Sequence, residues 1–147
     1  MRVPCGCDSS GYEDIEEVYA LNLSVFDYPR SVDEIKDLYK KIKDDREQYR
    51  FLVAKLDGKI VGYTSVSMSY NLFDGNEKFM TLWWVCAHPD YRHQGIATML
   101  LKEAEKIAKE NKCNCICLLS ENYREGAHQF YIKNGYSMGF KGFMKEL

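Results

Sequence analysis

Thr81-Leu82-Trp83-Trp84-Val85-Cys86-Ala87, His88-Pro89-Asp90-Tyr91 and Arg92-His93-Gln94-Gly95-Ile96-Ala97-Thr98 run consecutively, and their reading decides the fold. The first seven residues are short, almost wholly apolar, and rich in aromatic and β-branched side chains, as in a buried strand. Pro89 cannot donate to a sheet ladder, so the strand stops before it. Beyond the turn, Ile96, Met99, Leu100, Ala104 and Ile107 recur at helix spacing, with Lys102, Glu103, Lys106, Lys109 and Glu110 on the other side. The unit is a strand, a tight basic turn and a helix N-terminus. The first amides of a helix lack internal partners, and its dipole is positive there. Gly95 admits a ligand close to the backbone, small Ala97 keeps the first turn open, and Arg92 adds a full charge. A phosphate or pyrophosphate is the natural guest. The competing reading is an ordinary strand–helix junction with a surface arginine.

Upstream, Phe51–Leu56 reads as a strand, and Asp57-Gly58 as a tight hairpin turn. Lys59–Tyr70 is the returning strand, with Ile60, Gly62 and Thr64 on one face and Val61, Tyr63 and Ser65 on the other. Asp74-Gly75 makes a second turn into Lys78–Ala87, completing an antiparallel meander. Residues 1–7 suggest an opening strand. The capping box Ser10-Gly11-Tyr12-Glu13 predicts a helix over 11–22, with Ile15, Val18 and Tyr19 on one face. A second box, Ser31-Val32-Asp33-Glu34, predicts another helix, lined by Val32, Ile35, Leu38, Tyr39 and Ile42.

Downstream, Asn111-Lys112 stops the helix, and Cys113–Ser120 reads as a strand. Its link to Thr81–Ala87 runs through a helix, so the two strands are expected to be parallel neighbours. A capping signal at Asn122–Glu125 predicts a helix over 123–134, ended by Gly135, with one or two final strands in 136–147. The expectation is one α/β domain over 1–147, with a mostly antiparallel mixed sheet flanked by helices.

Composition narrows the classes. A chain of 147 residues, 46% hydrophobic and 29% charged, suits a globular domain with one sizeable core. The net charge is −2 and no long basic block occurs, so nucleic acid is not an indicated partner. No apolar run is long enough to span a membrane and no signal peptide is evident, so cytoplasmic residence is the expectation. Cys113, Cys115 and Cys117 alternate at strand spacing and read as small apolar packers; with Cys5 and Cys7 they lack the usual zinc spacing, and no metal is expected.

Val85 and His88-Pro89-Asp90-Tyr91-Arg92-His93-Gln94-Gly95-Ile96-Ala97 resemble the acetyl-CoA-binding core of the GNAT N-acetyltransferases. In that family an Arg/Gln-x-x-Gly-x-Gly/Ala turn wraps the coenzyme pyrophosphate; Arg92, Gly95 and Ala97 match its three defined positions. A second stretch, Gly126-Ala127-His128-Gln129-Phe130-Tyr131-Ile132-Lys133-Asn134-Gly135-Tyr136, resembles the family's other signature, whose Tyr lies beside the coenzyme sulfur. Tyr131 takes that position. The two motifs in this order and separation extend the resemblance over nearly the whole chain.

The resemblance implies the GNAT fold, with two parallel strands splayed around the pantetheine arm. It implies acetyl-CoA as cosubstrate and direct transfer to the primary amine of a small molecule or peptide. It also leaves room for a homodimer. Implied cofactor contacts are Val85, Cys86, Ala87, Arg92, His93, Gln94, Gly95, Ile96, Ala97 and Thr98, with Asn122, Arg124 and Tyr131. Amides near Val85–Ala87 would polarise the thioester carbonyl. A tyrosine phenol ordinarily titrates near pH 10, so Tyr131 can donate to a departing thiolate; packing on the sheet is its competing role. Phe26, Asp27 and Tyr28 border the implied acceptor pocket, or else seal the core edge. Cys86 is a nucleophile on paper, but a buried strand thiol without a base is more often inert.

Two departures stand out. Many family members carry a strand Glu as general base where this chain has Trp83. Glu121, His128, Glu77 and a water chain are the alternatives. An Asn often precedes the second motif's Ala by about three residues. Here Arg124 holds that spacing and Asn122 lies two earlier, either as a contact or as a helix cap. The competing class is a module that binds an acyl-CoA without turnover.

Overall fold

The computed structural model describes residues 5–27, 30–72 and 78–147. Residues 1–4, Tyr28, Glu77 and the Asp74-Gly75 turn lie outside the described residues. The chain divides into two compact units, Met1–Cys117 and Leu118–Leu147.

The first unit runs β1 (Cys5–Ser9), α1 (Ile15–Val25), α2 (Val32–Ile42), β2 (Tyr49–Leu56), β3 (Lys59–Tyr70), β4 (Lys78–Ala87) and α3 (Ile96–Glu110). β5 (Cys115–Leu118) completes a five-stranded sheet in chain order and crosses into the second unit at its last residue. β1 to β4 pair antiparallel. Asp57 and Gly58 have φ of 50° and 78°, so both turn residues are left-handed, as a two-residue hairpin requires. The Asn114 amide donates to the Lys78 carbonyl at 2.8 Å, so β5 begins beside the start of β4. That is the parallel sense demanded by a crossover helix.

α2 starts at its predicted box: the Glu34 amide donates to Ser31 Oγ at 3.3 Å and the Ser31 amide to Glu34 Oε2 at 2.7 Å. α1 corrects the prediction. Gly11 is the cap of a short 3-10 turn over Tyr12–Asp14, and α1 starts later and ends later than 11–22. Asp14, not Glu13, accepts from the Gly11 amide, at 2.9 Å, and Lys55 on β2 holds the same carboxylate at 3.0 Å. A tertiary ion pair chose the cap.

The sheet is covered on both faces. α3 lies so close to Gly62 that a Cβ there would meet Ile96 Cγ2 at 2.5 Å and Leu100 Cδ1 at 3.1 Å. On the other face Val18 and Leu21 of α1 cluster with Val53, Ile60 and Cys86. Ile60 thus leaves the face predicted for it. Lys55 pairs with Ile60 but Ala54 with Gly62, so Val61 is an extra residue, and this bulge re-aims its neighbour. In α3, buried Leu101 takes the core place expected of Met99. Gly62→Ala should destabilise the protein by about 1–3 kcal/mol, because the helix must shift to admit a methyl. The urea midpoint should fall with an unchanged slope; an unchanged midpoint would show the contact to be slack.

In the second unit α4 (Glu125–Lys133) ends as expected at Gly135, whose φ is 91°. Its N-cap is Arg124, without a side-chain cap bond, so Asn122 does not cap it. The tail also departs from expectation: residues 136–147 form no strand, and Met138, Phe140, Phe143 and Met144 are exposed. Imperfect alternation, interrupted by Gly139 and Gly142, gives a strand too little to hold. The predicted Cys113–Ser120 strand shortens to β5, since the Cys113 amide is spent on the Ala108 carbonyl at 2.8 Å. Cys113 and Cys115 are half-buried and Cys117 is exposed, so the trio is not core packing. Among the described residues no helix is long and apolar enough to cross a membrane.

Candidate functional site

β4 is not a regular strand. Tyr63 pairs with Cys86 and Ser65 with Trp83, so Trp84 and Val85 together oppose Thr64. Trp84 carries a φ of 55°, rare for a bulky residue. Backbone held there costs on the order of 1–3 kcal/mol and concentrates at functional sites. Buried Thr64 supports the bulge: its hydroxyl donates to the Trp83 carbonyl at 3.0 Å. The bulge therefore breaks the one-to-one register with β3 at Trp84 and Val85, within the stretch expected to face a thioester. Trp83, standing where a strand Glu was expected, donates its indole N–H to Ser67 Oγ at 2.9 Å. It offers no base. Cys86 is buried, with its thiol directed at Asn22 Oδ1 at 3.7 Å, an amide that cannot take its proton.

A cavity of about 240 Å³ opens between α1, α2 and the face of β2–β4 opposite α3. Trp84, Tyr63 and Ser65 line its sheet side, and Tyr19, Asn22 and Tyr39 line its helix side. Phe26 does not line it. Its ring packs edge-on against Trp84, a wall residue, at 5.0 Å. Asp27 is exposed and outside the wall, and Tyr28 lies outside the described residues. Arg30, three residues beyond Asp27, does line the cavity, though no local pattern singles it out.

The turn after β4 is also shaped for a ligand. His88 Nδ1 accepts the Asp90 amide at 3.2 Å, closing a 3-10 turn over Pro89–Tyr91. His93 and Gly95 follow with φ of 62° and 81°. Nothing lies within 4 Å of where a Gly95 Cβ would be, so the space beside this backbone is open. α3 has no side-chain N-cap and no acidic residue in its first turn. Ile96 is buried as an anchor, whereas Arg92, His93, Gln94 and Gly95 are exposed. Unpaired amides, a positive dipole end and an exposed guanidinium fit a diphosphate. Ala97 and Thr98 are half-buried in that first turn.

The remaining candidates belong to the second unit. Tyr131 on α4 is half-buried, its ring beside Phe130 at 5.3 Å and Tyr136 at 5.8 Å. His128 must donate through Nε2 to the Glu121 carbonyl at 3.0 Å, since a carbonyl can only accept; Nδ1 is then the basic nitrogen of the neutral ring. The Glu121 carboxylate binds the Tyr123 hydroxyl and raises that phenol above its ordinary pKa. Asn122 is exposed and Arg124 half-buried.

Comparison with known proteins accords with this geometry. Residues 15–136 match the acetyltransferase (GNAT) family. The aminoalkylphosphonate N-acetyltransferase of Salmonella typhimurium strain LT2 is 28% identical over 141 residues, covering 92% of this chain and 86% of that protein. Two solved structures share the fold. A transcriptional regulator from Bacillus halodurans C-125 has a TM-score of 0.87 at 24% identity, covering 97% of this chain and 99% of its own. AAC(6')-Iy, solved in complex with a CoA bisubstrate analogue, has a TM-score of 0.82 at 12% identity, covering 97% of each chain.

Proposed function

Because this chain belongs to the acetyltransferase (GNAT) family and is an acetyl-CoA-dependent acyltransferase, we propose that it moves the acetyl group directly onto the primary amine of a small molecule. The observation that carries this reading is the uncapped, open, left-handed Gly95 turn at the start of α3. The Salmonella relative is named for a small-molecule amine, an aminoalkylphosphonate, and a structural neighbour from Acinetobacter baumannii for an aminoglycoside antibiotic. We assign residues 1–147 to one acetyltransferase domain, since the family match runs through both compact units.

Acetyl-CoA supplies the activated acyl group and a thiolate leaving group. Main-chain amides of Ile96, Ala97 and Thr98, with Arg92, hold its diphosphate. The bulge at Trp84–Val85 supports a second role: amides from Val85 to Ala87 hydrogen-bond the carbonyl oxygen as negative charge grows on it. The amine attacks, the C–S bond breaks, and Tyr131 gives its proton to the sulfur. That assignment rests on the place of Tyr131 in the second motif. With Trp83 in place of a carboxylate, the amine's own proton leaves through Glu121, His128 or water. Alignment does much of the work, since well-oriented reactants gain roughly 7–11 kcal/mol.

A thiol-release assay over amino acids, aminophosphonates, aryl amines and polyamines tests the reading. Amine-dependent release of coenzyme A, with stoichiometric N-acetyl product, is expected. Coenzyme binding without turnover on any amine would instead identify a non-catalytic acyl-CoA module.

A further inference from the structure

The cavity between α1, α2 and the sheet has a lining that selects by charge. Its walls are aromatic and aliphatic, including Trp84, Phe51, Ile15 and Leu38. Several of its polar groups are already spent inside the fold. Tyr19 donates its hydroxyl to the Arg30 carbonyl at 3.0 Å, and Tyr39 donates to the Ser10 carbonyl at 3.1 Å. Asn22 donates to the Val18 carbonyl at 3.0 Å and faces the Cys86 thiol with its oxygen. Among the described residues no carboxylate lines the cavity, and Arg30 is its one charged wall residue. Arg30 enters no ion pair among the described residues. Glu34, whose carboxylate feels the Arg30 charge, is committed to the Ser31 cap.

Resting on the proposed acetyl transfer, we infer that the cavity takes an amine with one apolar body and one acid group, the acid facing Arg30. A polycation fits the lining badly. Its second ammonium would lose water, find no carboxylate, and lie in the field of Arg30. An acid group on the acceptor gains a charge-assisted, two-pronged partner instead. The apolar wall also favours the uncharged amine, which is the form that attacks. At about 240 Å³, the space falls below the roughly 300–1,000 Å³ of pockets for drug-sized ligands, so the body is small, a single ring or branched chain. Carboxylates and phosphonates present the same chemistry to a guanidinium.

Four acceptors separate the possibilities: phenylalanine, 1-amino-2-phenylethylphosphonate, phenethylamine and spermidine. The two acid-bearing amines should exceed phenethylamine in kcat/KM by about tenfold, the worth of one charge-assisted contact, and spermidine by more. Whichever acid is preferred identifies the group. Arg30→Gln should reduce kcat/KM for the acid-bearing amines about tenfold more than for phenethylamine. Spermidine as the best acceptor, or an Arg30→Gln loss equal for all four, would overturn the inference while leaving acetyl transfer intact. Absence of coenzyme A binding would overturn acetyl transfer itself. If acetyl-CoA binds but none of the four is acetylated, quenching of tryptophan fluorescence still decides, because Trp84 lines the cavity. Acid-bearing amines binding no tighter than spermidine would then refute the inference.

Discussion

Gly95→Asp eliminates measurable coenzyme A binding, whereas Gly95→Asn weakens it only about tenfold: this pair is expected to give the largest effect on affinity. The two side chains have the same shape, and both tolerate the left-handed region better than most. At a φ of 81°, each incurs a similar strain. Neither meets a neighbour, because the space where a Cβ would stand is open. Only the charge differs. A carboxylate about 4 Å from a phosphate oxygen costs roughly 4 kcal/mol at an effective dielectric constant near 20. Calorimetric titration gives the affinities, and urea midpoints confirm that both variants fold. Equal weakening by Asp and Asn would mean that no anion comes to this turn.

Tyr131→Phe should have the largest effect on turnover. The ring contacts with Phe130 and Tyr136 survive the change, so α4 keeps its packing. What the change removes is the proposed proton donor. General acid catalysis typically supplies about 10²–10⁴-fold, and kcat should fall by that amount. Coenzyme A affinity should stay within about twofold if the hydroxyl acts, as proposed, on charge that develops only during C–S cleavage. A parallel fall in affinity would make the hydroxyl a binding group. An unchanged kcat would make Tyr131 a packing residue and pass the proton to water.

What the sequence shows well is punctuation. Asp57-Gly58 and Pro89 bound β3 and β4 where they were expected, and the Ser31–Glu34 box begins α2. Such signals are local, so one chain segment carries them whole. The bulges are different. Val61 and Trp84 are extra residues only relative to a partner strand, and nothing in either stretch alone declares the mismatch. The start of α1 departs from its capping signal for a similar reason, because Lys55 on β2 holds Asp14 in place. In the candidate site, the open, uncapped turn at Gly95 is legible because a helix N-terminus is a one-segment device. The cavity was not: Trp84, Tyr63, Tyr19 and Arg30 meet only through tertiary folding, and of the three residues expected there, only Phe26 is seen to support it.

Amide-resolved NMR during a coenzyme A titration reaches the central claim most directly. The largest shifts should fall on the amides of Gly95, Ile96, Ala97 and Thr98, should saturate together, and should vanish when dephosphorylated pantetheine replaces the coenzyme. Binding that saturates while those four amides stay unmoved would contradict the claim that the start of α3 holds the diphosphate.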